Sequence, residues 1–318
     1  MSRVPSLIVA LSLLPCACVL GPPPNVARNV AEGEYCASQN ALDTTPASHP
    51  PPEEASAPAR VAVERGYTPR SLDTARAIGA VVQVERLAEA RARDAPESEI
   101  VDLRGQLNDA IALATLDLSS TVANISCEEG RAGQIATDLR DAERVQTRNL
   151  TAYSLAVTAA AAIGGGALAF ANRSDPTPAA GVGIAGGVAG GSFGLATLAV
   201  HRSTTYLHRR NVAGQIWYGG AHPDFPDLVW AYVTRPEFTG SRHRSIREAL
   251  VKEWMESGRL GDDPAHPSPE RVALYFGQGG TYDADGLDDR ADMLSEVREA
   301  VDLMNHDLQH LASEAQHR

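Results

Sequence analysis

Four cysteines are the residues of this chain whose positions point most directly to a chemistry. Cys16 and Cys18 close a short apolar run near the N-terminus, whereas Cys36 and Cys127 lie further along. None of them has the paired spacing of a structural zinc site. If the chain is exported, Cys36 and Cys127 are predicted to form a disulfide that closes a loop of about 90 residues. The alternative is two unpaired thiols.

An acidic run from Thr281 to Asp292 is a second candidate site. With Gly286 in sixth place, four aspartates fall at ligand positions of a calcium-binding EF-hand loop. The first position, however, is a threonine, and Asp288 occupies a position that is normally apolar. Carboxylates also favour the N-terminus of a helix, where they cap it and interact with its dipole. We therefore predict that this run opens the last helix and binds no metal.

Histidines offer a third possibility, because His306 and His310 have the i, i+4 spacing that can bind zinc. Asp307 stands where a metalloprotease helix carries glutamate, and no third ligand is apparent, so a surface pair is predicted. The chain contains no nucleophile elbow, phosphate-binding loop or dinucleotide-binding fingerprint. We predict no catalytic residue, metal or cofactor. The alternative is an enzyme that uses residues scattered along the chain. These are His222, Asp224, Asp283 or His306.

The segment that would carry Cys16 and Cys18 is residues 1–18. Arg3 is followed by a short apolar run and small residues, a pattern typical of a secretory signal peptide. Leu13 stands three residues before Cys16, and Ala17 stands directly before Cys18. This ending resembles the lipobox of bacterial lipoproteins, which implies lipidation of Cys18, or otherwise of Cys16. A plain cleaved signal peptide and an uncleaved anchor are the alternatives.

Residues 19–66 are rich in proline and are predicted to be a spacer. Residues 67–149 are predicted to form a helical body. Ser71 is the expected cap of a first helix, and a second helix beginning at Ser98 carries apolar residues at offsets of three and four. The two helices are expected to pair antiparallel, and the second is expected to run straight into Leu150–Phe170. The apolar positions of the first helix are Leu72, Ala75, Ile78, Val82 and Leu87.

Residues 150–200 contain two charge-free blocks rich in alanine and glycine, Leu150–Phe170 and Ala179–Val200. Each block is long enough to cross a bilayer as a helix, and the prolines between them predict a helical hairpin. Glycines four residues apart let another helix backbone approach closely, so we predict self-association through this segment. The glycines form two rows: Gly183, Gly187 and Gly191, and Gly186, Gly190 and Gly194.

The segment resembles the glycine-zipper hairpins of bacterial envelope lipoproteins, which implies membrane association and self-assembly without enzymatic activity. Arginines flank both ends of the hairpin, and the positive-inside rule would place those ends in the cytoplasm. An exported N-terminus would place them outside. Three arrangements therefore stay open: a spanning hairpin with periplasmic ends, a hairpin buried in protein, and an uncleaved anchor with a cytoplasmic body.

Residues 201–318 are predicted to form a small helical C-terminal domain. Its helices are expected at Ser245–Ser257, Glu270–Phe276 and Leu287–Ala312. Five aromatic residues are expected to build its core, with an aromatic belt at a membrane interface as the alternative. They are Trp217, Phe225, Trp230, Tyr232 and Phe238.

Together these patterns predict a mainly α fold. The predicted function is structural, that of a membrane-associated bacterial envelope lipoprotein with periplasmic soluble parts. The alternative is a membrane-permeabilising protein whose hairpin inserts into a target bilayer. The expected partners are membrane lipid and further copies of the same chain, with the protein partner unknown. The net charge of −12 argues against nucleic acid.

Overall fold

The computed structural model describes residue 52 and residues 59–171, 201–208, 210–238 and 244–317. Within these ranges the fold is mainly α, as predicted, with nine α-helices and one two-stranded sheet. The first three helices are α1 (Arg60–Glu64), α2 (Pro69–Ala77) and α3 (Val81–Ala92). Thr68, rather than Ser71, caps α2, because its side chain accepts a hydrogen bond from the Ser71 amide.

The predicted first helix is therefore two helices, separated at Gly79. This glycine has φ of 64°, a backbone conformation that ends a helix. The break changes the helical phase that follows it. Val81 and Val84 are consequently buried, whereas Val82, predicted to face the core, is 48% exposed.

A single helix of 75 residues, α4, runs from Glu97 to Ala171. At about 1.5 Å per residue it is roughly 110 Å long. It continues from the helical body into the first apolar block, as the sequence suggested. Within Glu97–Ala152, the described chain has one helical stretch long and apolar enough to cross a membrane, judged by length and composition alone.

The remaining elements follow residue 200 and include both strands. The 3₁₀ turn Pro236–Phe238 follows α6. Ser245 forms a capping box with Glu248, and Ser268 caps α8 with Pro269 in the first position, which confirms both predicted helix starts. In chain order the elements are β1 (Ser203–Leu207), α5 (Val212–Tyr218), α6 (Asp227–Thr234), α7 (Ile246–Glu256), α8 (Pro269–Phe276), β2 (Gly279–Asp283) and α9 (Ala284–His317).

The antiparallel pair of α4 and α9 is the axis of the fold. Arg298 on α9 donates to Glu129 on α4 at 2.8 Å, and Arg140 on α4 donates to Asp285 at the start of α9 at 2.8 Å. Helix α3 also contacts α4, but the main partner of α4 is α9. Residues before and after segment 150–200 therefore share one hydrophobic core. The apolar stripe of α9 that fills it is Leu287, Met293, Leu294, Val297, Val301, Met304, Leu308 and Leu311.

The two strands were not predicted. They pair antiparallel, with Ser203 opposite Asp283 and Leu207 opposite Gly279. Gly279 has φ of 87°, and a Cβ atom placed on it would lie 2.2 Å from the carbonyl oxygen of Tyr206. The pairing therefore requires glycine at this position.

The five aromatic residues expected in the core each pack against another aromatic ring. Phe225, Tyr232 and Phe238 are buried. Trp217 stacks on Phe276 with ring centroids 4.4 Å apart, and Trp230 lies 5.6 Å from Phe225. These contacts place the aromatic residues in the protein core.

Candidate functional site

The most informative site is the place where the chain leaves for segment 150–200 and returns from it. The Arg202 amide donates to the Glu143 carboxylate at 2.7 Å. The Arg202 guanidinium donates to Oε1 of Gln146, with Nη2 at 2.6 Å. The two ends of the predicted hairpin therefore lie side by side. We call Glu143, Gln146 and Arg202 the base.

About one turn before the base, Arg140 connects α4 to the start of α9. It forms ion pairs with Asp285 and Asp288. Asp283 accepts a hydrogen bond from the Gly286 amide at 2.8 Å, and Asp289 accepts from the Tyr275 hydroxyl at 3.0 Å. The acidic run thus opens and caps α9, as predicted, and its other aspartates also pair with Arg140 and Tyr275. It cannot form an EF-hand loop, since β2 ends at Asp283 and α9 begins with the next residue.

A cluster of buried polar rings holds the returning strand β1 against β2 and α9. Tyr206 and Tyr282 meet edge to face with centroids 5.8 Å apart. The Tyr282 hydroxyl donates to the Leu274 carbonyl at 2.8 Å and lies 3.1 Å from Nε2 of His208. The Nδ1 atom of His208 is 3.0 Å from the Gly277 carbonyl oxygen. We call Tyr206, His208, Tyr275, Tyr282 and Arg290 the clamp.

Arginines complete the clamp from both long helices. Arg290 on α9 is fully buried and donates to the Tyr275 carbonyl at 3.0 Å. On α4, the Arg131 guanidinium lies 4.5 Å from the centroid of the Tyr206 ring. Glu128 lies beside it and accepts a hydrogen bond from the Tyr206 hydroxyl at 3.3 Å. Strand β1 is therefore fastened to both α4 and α9.

The electrostatics of the clamp favour uncharged rings. Burial, together with the nearby Arg290 charge, lowers the pKa of His208 to about 3. Burial raises the pKa of Tyr206 and of Tyr282. At neutral pH the histidine is neutral and both phenols keep their protons. Because these side chains are buried, the arrangement is suited to holding the strand in place rather than to contacting a substrate.

The four residues considered for an enzyme lie in three separate places: the loop between α5 and α6, the end of β2 and the exposed side of α9. His222 stacks on Trp230 with centroids 4.7 Å apart, and Asp224 accepts a hydrogen bond from Gln215. Asp283 caps α9, and His306 is exposed on that helix. His310 lies 3.0 Å from the Ser71 hydroxyl. No group of three or more His, Cys, Asp or Glu residues that could hold a metal is found among the residues with assigned positions.

Cys127 is disulfide-bonded. The other three cysteines lie outside the described residues, so its pairing with Cys36 stays a prediction, as does the lipidation of Cys18 or Cys16. The predicted helix-packing glycines also lie outside these residues. They are Gly183, Gly186, Gly187, Gly190, Gly191 and Gly194.

Sequence reasoning missed the base and the clamp. One available signal was Arg290, which stands on the apolar stripe of α9, where a charged residue needs buried partners. No protein-family model, curated protein or solved structure matches the chain.

Proposed function

We propose that this protein is a membrane-associated envelope lipoprotein with a structural or assembly role, which associates with further copies of itself through segment 150–200. The observation that carries this proposal is the geometry of the base. Because Arg202 binds Glu143 and Gln146, the chain departs and returns at one point. A helical hairpin that enters a membrane needs this arrangement, whereas a single crossing would separate the two ends.

The continuity of α4 supports the same proposal. The helix extends past the base without interruption to Ala171. From Asn149 onward the side chains whose burial is described are uncharged and mostly exposed, and Leu155 is 67% exposed. Exposed leucine is unfavourable in water, and lipid or a second helix would remove that cost. The protein body would then support the hairpin from one side of the membrane.

In this proposal the clamp serves assembly rather than catalysis. It fixes the position of β1, and β1 begins directly after the returning Arg202. The two hairpin helices would thus leave the body at a fixed separation, ready to pack through the glycine rows. A lipid on Cys18, or on Cys16, would add a second attachment to the membrane.

Membrane extraction at alkaline pH tests this proposal. The Cys16→Ala/Cys18→Ala double variant removes lipidation. A second protein carries the same changes and also has residues 150–200 replaced by a short Gly/Ser loop, which the adjacent ends at the base should accommodate. We expect the double variant to stay in the membrane pellet after carbonate washing and the loop-replaced protein to be released. Release of the double variant, which keeps residues 150–200, would contradict a membrane-inserted hairpin.

Vesicle leakage separates this role from the permeabilising alternative. Purified protein should bind dye-loaded vesicles without releasing the dye. Release that requires residues 150–200, and is absent from the loop-replaced protein, would instead favour a permeabilising function.

A further inference from the structure

A strip of uncharged side chains lies along α4 on the side opposite α9. It comprises Ala112, Leu113, Leu116, Ser120 and Ala123, and we call it the outer strip. Leu116 is 66% exposed and Leu113 is 38% exposed. Every residue of α4 classed as exposed between positions 112 and 126 is uncharged. An exposed helix face that is uncharged and partly apolar is typical of a surface that another segment covers.

The disulfide of Cys127 lies at the end of this strip. Leu116, Ser120, Ala123 and Cys127 follow one another at offsets of four, three and four, which places them on one face of a helix. The opposite face of the same turns carries the buried Ala114, Leu118 and Ile125. The partner of Cys127 must therefore approach α4 from the outer side.

The covalent partner comes from the N-terminal part of the chain. The other three cysteines all lie within the first 36 residues, so the disulfide joins α4 to the N-terminal part of the chain. Residues 19–35 include five larger apolar or aromatic side chains, whereas residues 37–58 include only Leu42. The five are Val19, Leu20, Val26, Val30 and Tyr35.

We propose that residues 19–35 dock on the outer strip and that the Cys127 disulfide holds them there. The chain can make this connection. Residues 36 to 59 can span roughly 75 Å when extended. The part of α4 between its start and Cys127 is roughly 45 Å long. A covalent tether also raises the local concentration of the docking segment, so a modest apolar contact is sufficient.

Radical footprinting of the purified full-length protein tests this docking, with the disulfide kept oxidised. The Val26→Asp/Val30→Asp variant should abolish docking without touching α4. We expect the labelling of Leu113 and Leu116 to rise at least threefold in this variant. Leu303, 54% exposed on α9, is the internal reference and should be labelled equally in both proteins. Leu42→Asp is the matched control and should leave the labelling of all three leucines unchanged.

Three results would overturn the proposal. The first is equal labelling of Leu113 and Leu116 in the wild type and the double variant, with the disulfide intact in both by mass spectrometry. The second is an equal rise in the labelling of Leu113 and Leu116 in the Leu42→Asp variant and in the double variant. The third is protection that disappears on dilution, because a second copy would then cover the strip. Docking would hold Cys18 beside α4, more than 20 residues before segment 150–200, so it competes with the proposed lipid attachment. Membrane extraction and footprinting give separate results, so the failure of this inference can be told apart from the failure of the proposed function.

Discussion

The two parts of α4 have the same secondary structure and opposite relations to their surroundings. Before the base, the helix buries Leu107, Leu118 and Ile125 completely and binds α9 through ion pairs such as Glu129–Arg298. From Asn149 onward, the side chains whose burial is described are uncharged and mostly exposed, with Leu155 at 67%. The first part is therefore stabilised by the protein itself. The second must be stabilised by what surrounds the protein, which we propose is membrane and further copies of the chain.

Leucine truncation gives the largest expected contrast between the two parts. Leu118→Ala should lower the free energy of unfolding by about 2–5 kcal/mol, because it leaves a cavity in the hydrophobic core. Leu155→Ala, the matched change beyond the base, should lower it by less than about 0.5 kcal/mol. Urea unfolding of the full chain in mild detergent measures both. Equal losses would show that the two parts are packed alike.

Removal of a contact at the base should have the next largest effect. Glu143→Ala leaves the Arg202 amide without its carboxylate partner, and the expected loss is about 1.5–3 kcal/mol. Arg144→Ala is the matched control, since its ion pair with Asp141 is well exposed and surface pairs contribute about 0–1 kcal/mol. A Glu143 variant as stable as the control would mean that the base does not hold the returning chain.

Acid should weaken the clamp through His208. Its folded pKa of about 3 lies below the ordinary value of 6.5, so the unfolded chain binds the proton first as the pH falls. Stability is therefore fully present above about pH 6.5 and is lost towards pH 3, by about 1.4 kcal/mol per pH unit from this one group. His208→Gln should remove that contribution. The unfolding free energies of the wild type and the variant are measured from pH 6.5 to 4.5, and their difference should change with this slope. If both free energies have the same pH dependence, His208 does not contribute.

The smallest effect on the body is expected from the glycine rows. Gly187→Leu should change the stability of the body by less than about 0.5 kcal/mol, yet it should weaken self-association, because leucine prevents close helix approach. Gly130→Leu is the matched control. This glycine is exposed on α4, and a Cβ atom added to it meets no other atom within 4 Å. Oligomer size is measured by light scattering in detergent. An unchanged size in the Gly187 variant would contradict a role of the glycine rows in self-association.

Much of the helical fold could be predicted because its signals are local. The apolar stripe of α9, the capping box at Ser245 and the Ser268–Pro269 start are each contained within a few turns. Gly79 could also have been recognised as a helix end. Local periodicity therefore gave the helices and missed mainly their interruptions.

The long-range arrangement could not be predicted in the same way. Strands β1 and β2 are five residues each and more than 70 residues apart in sequence, and β2 begins with two glycines, a residue type that is depleted in strands. The pairing of α4 with α9 depends on which apolar stripes are long enough to match, a property of the whole fold. The base joins Arg202 to Glu143, which lie on opposite sides of segment 150–200 in the sequence. No local pattern indicates that these two residues meet.

The most direct test of the central claim is the accessibility of the two sides of segment 150–200 in native membranes. Single cysteines are introduced at Ser174, in the linker between the two apolar blocks, and at His201, next to the base. The outer layer of the cells is permeabilised, while the membrane that holds the protein stays sealed. These cells are treated with a membrane-impermeant maleimide before and after lysis. If the hairpin spans the membrane, the cysteine at 201 reacts in sealed cells and the one at 174 reacts only after lysis. Reaction of both before lysis would contradict a spanning hairpin.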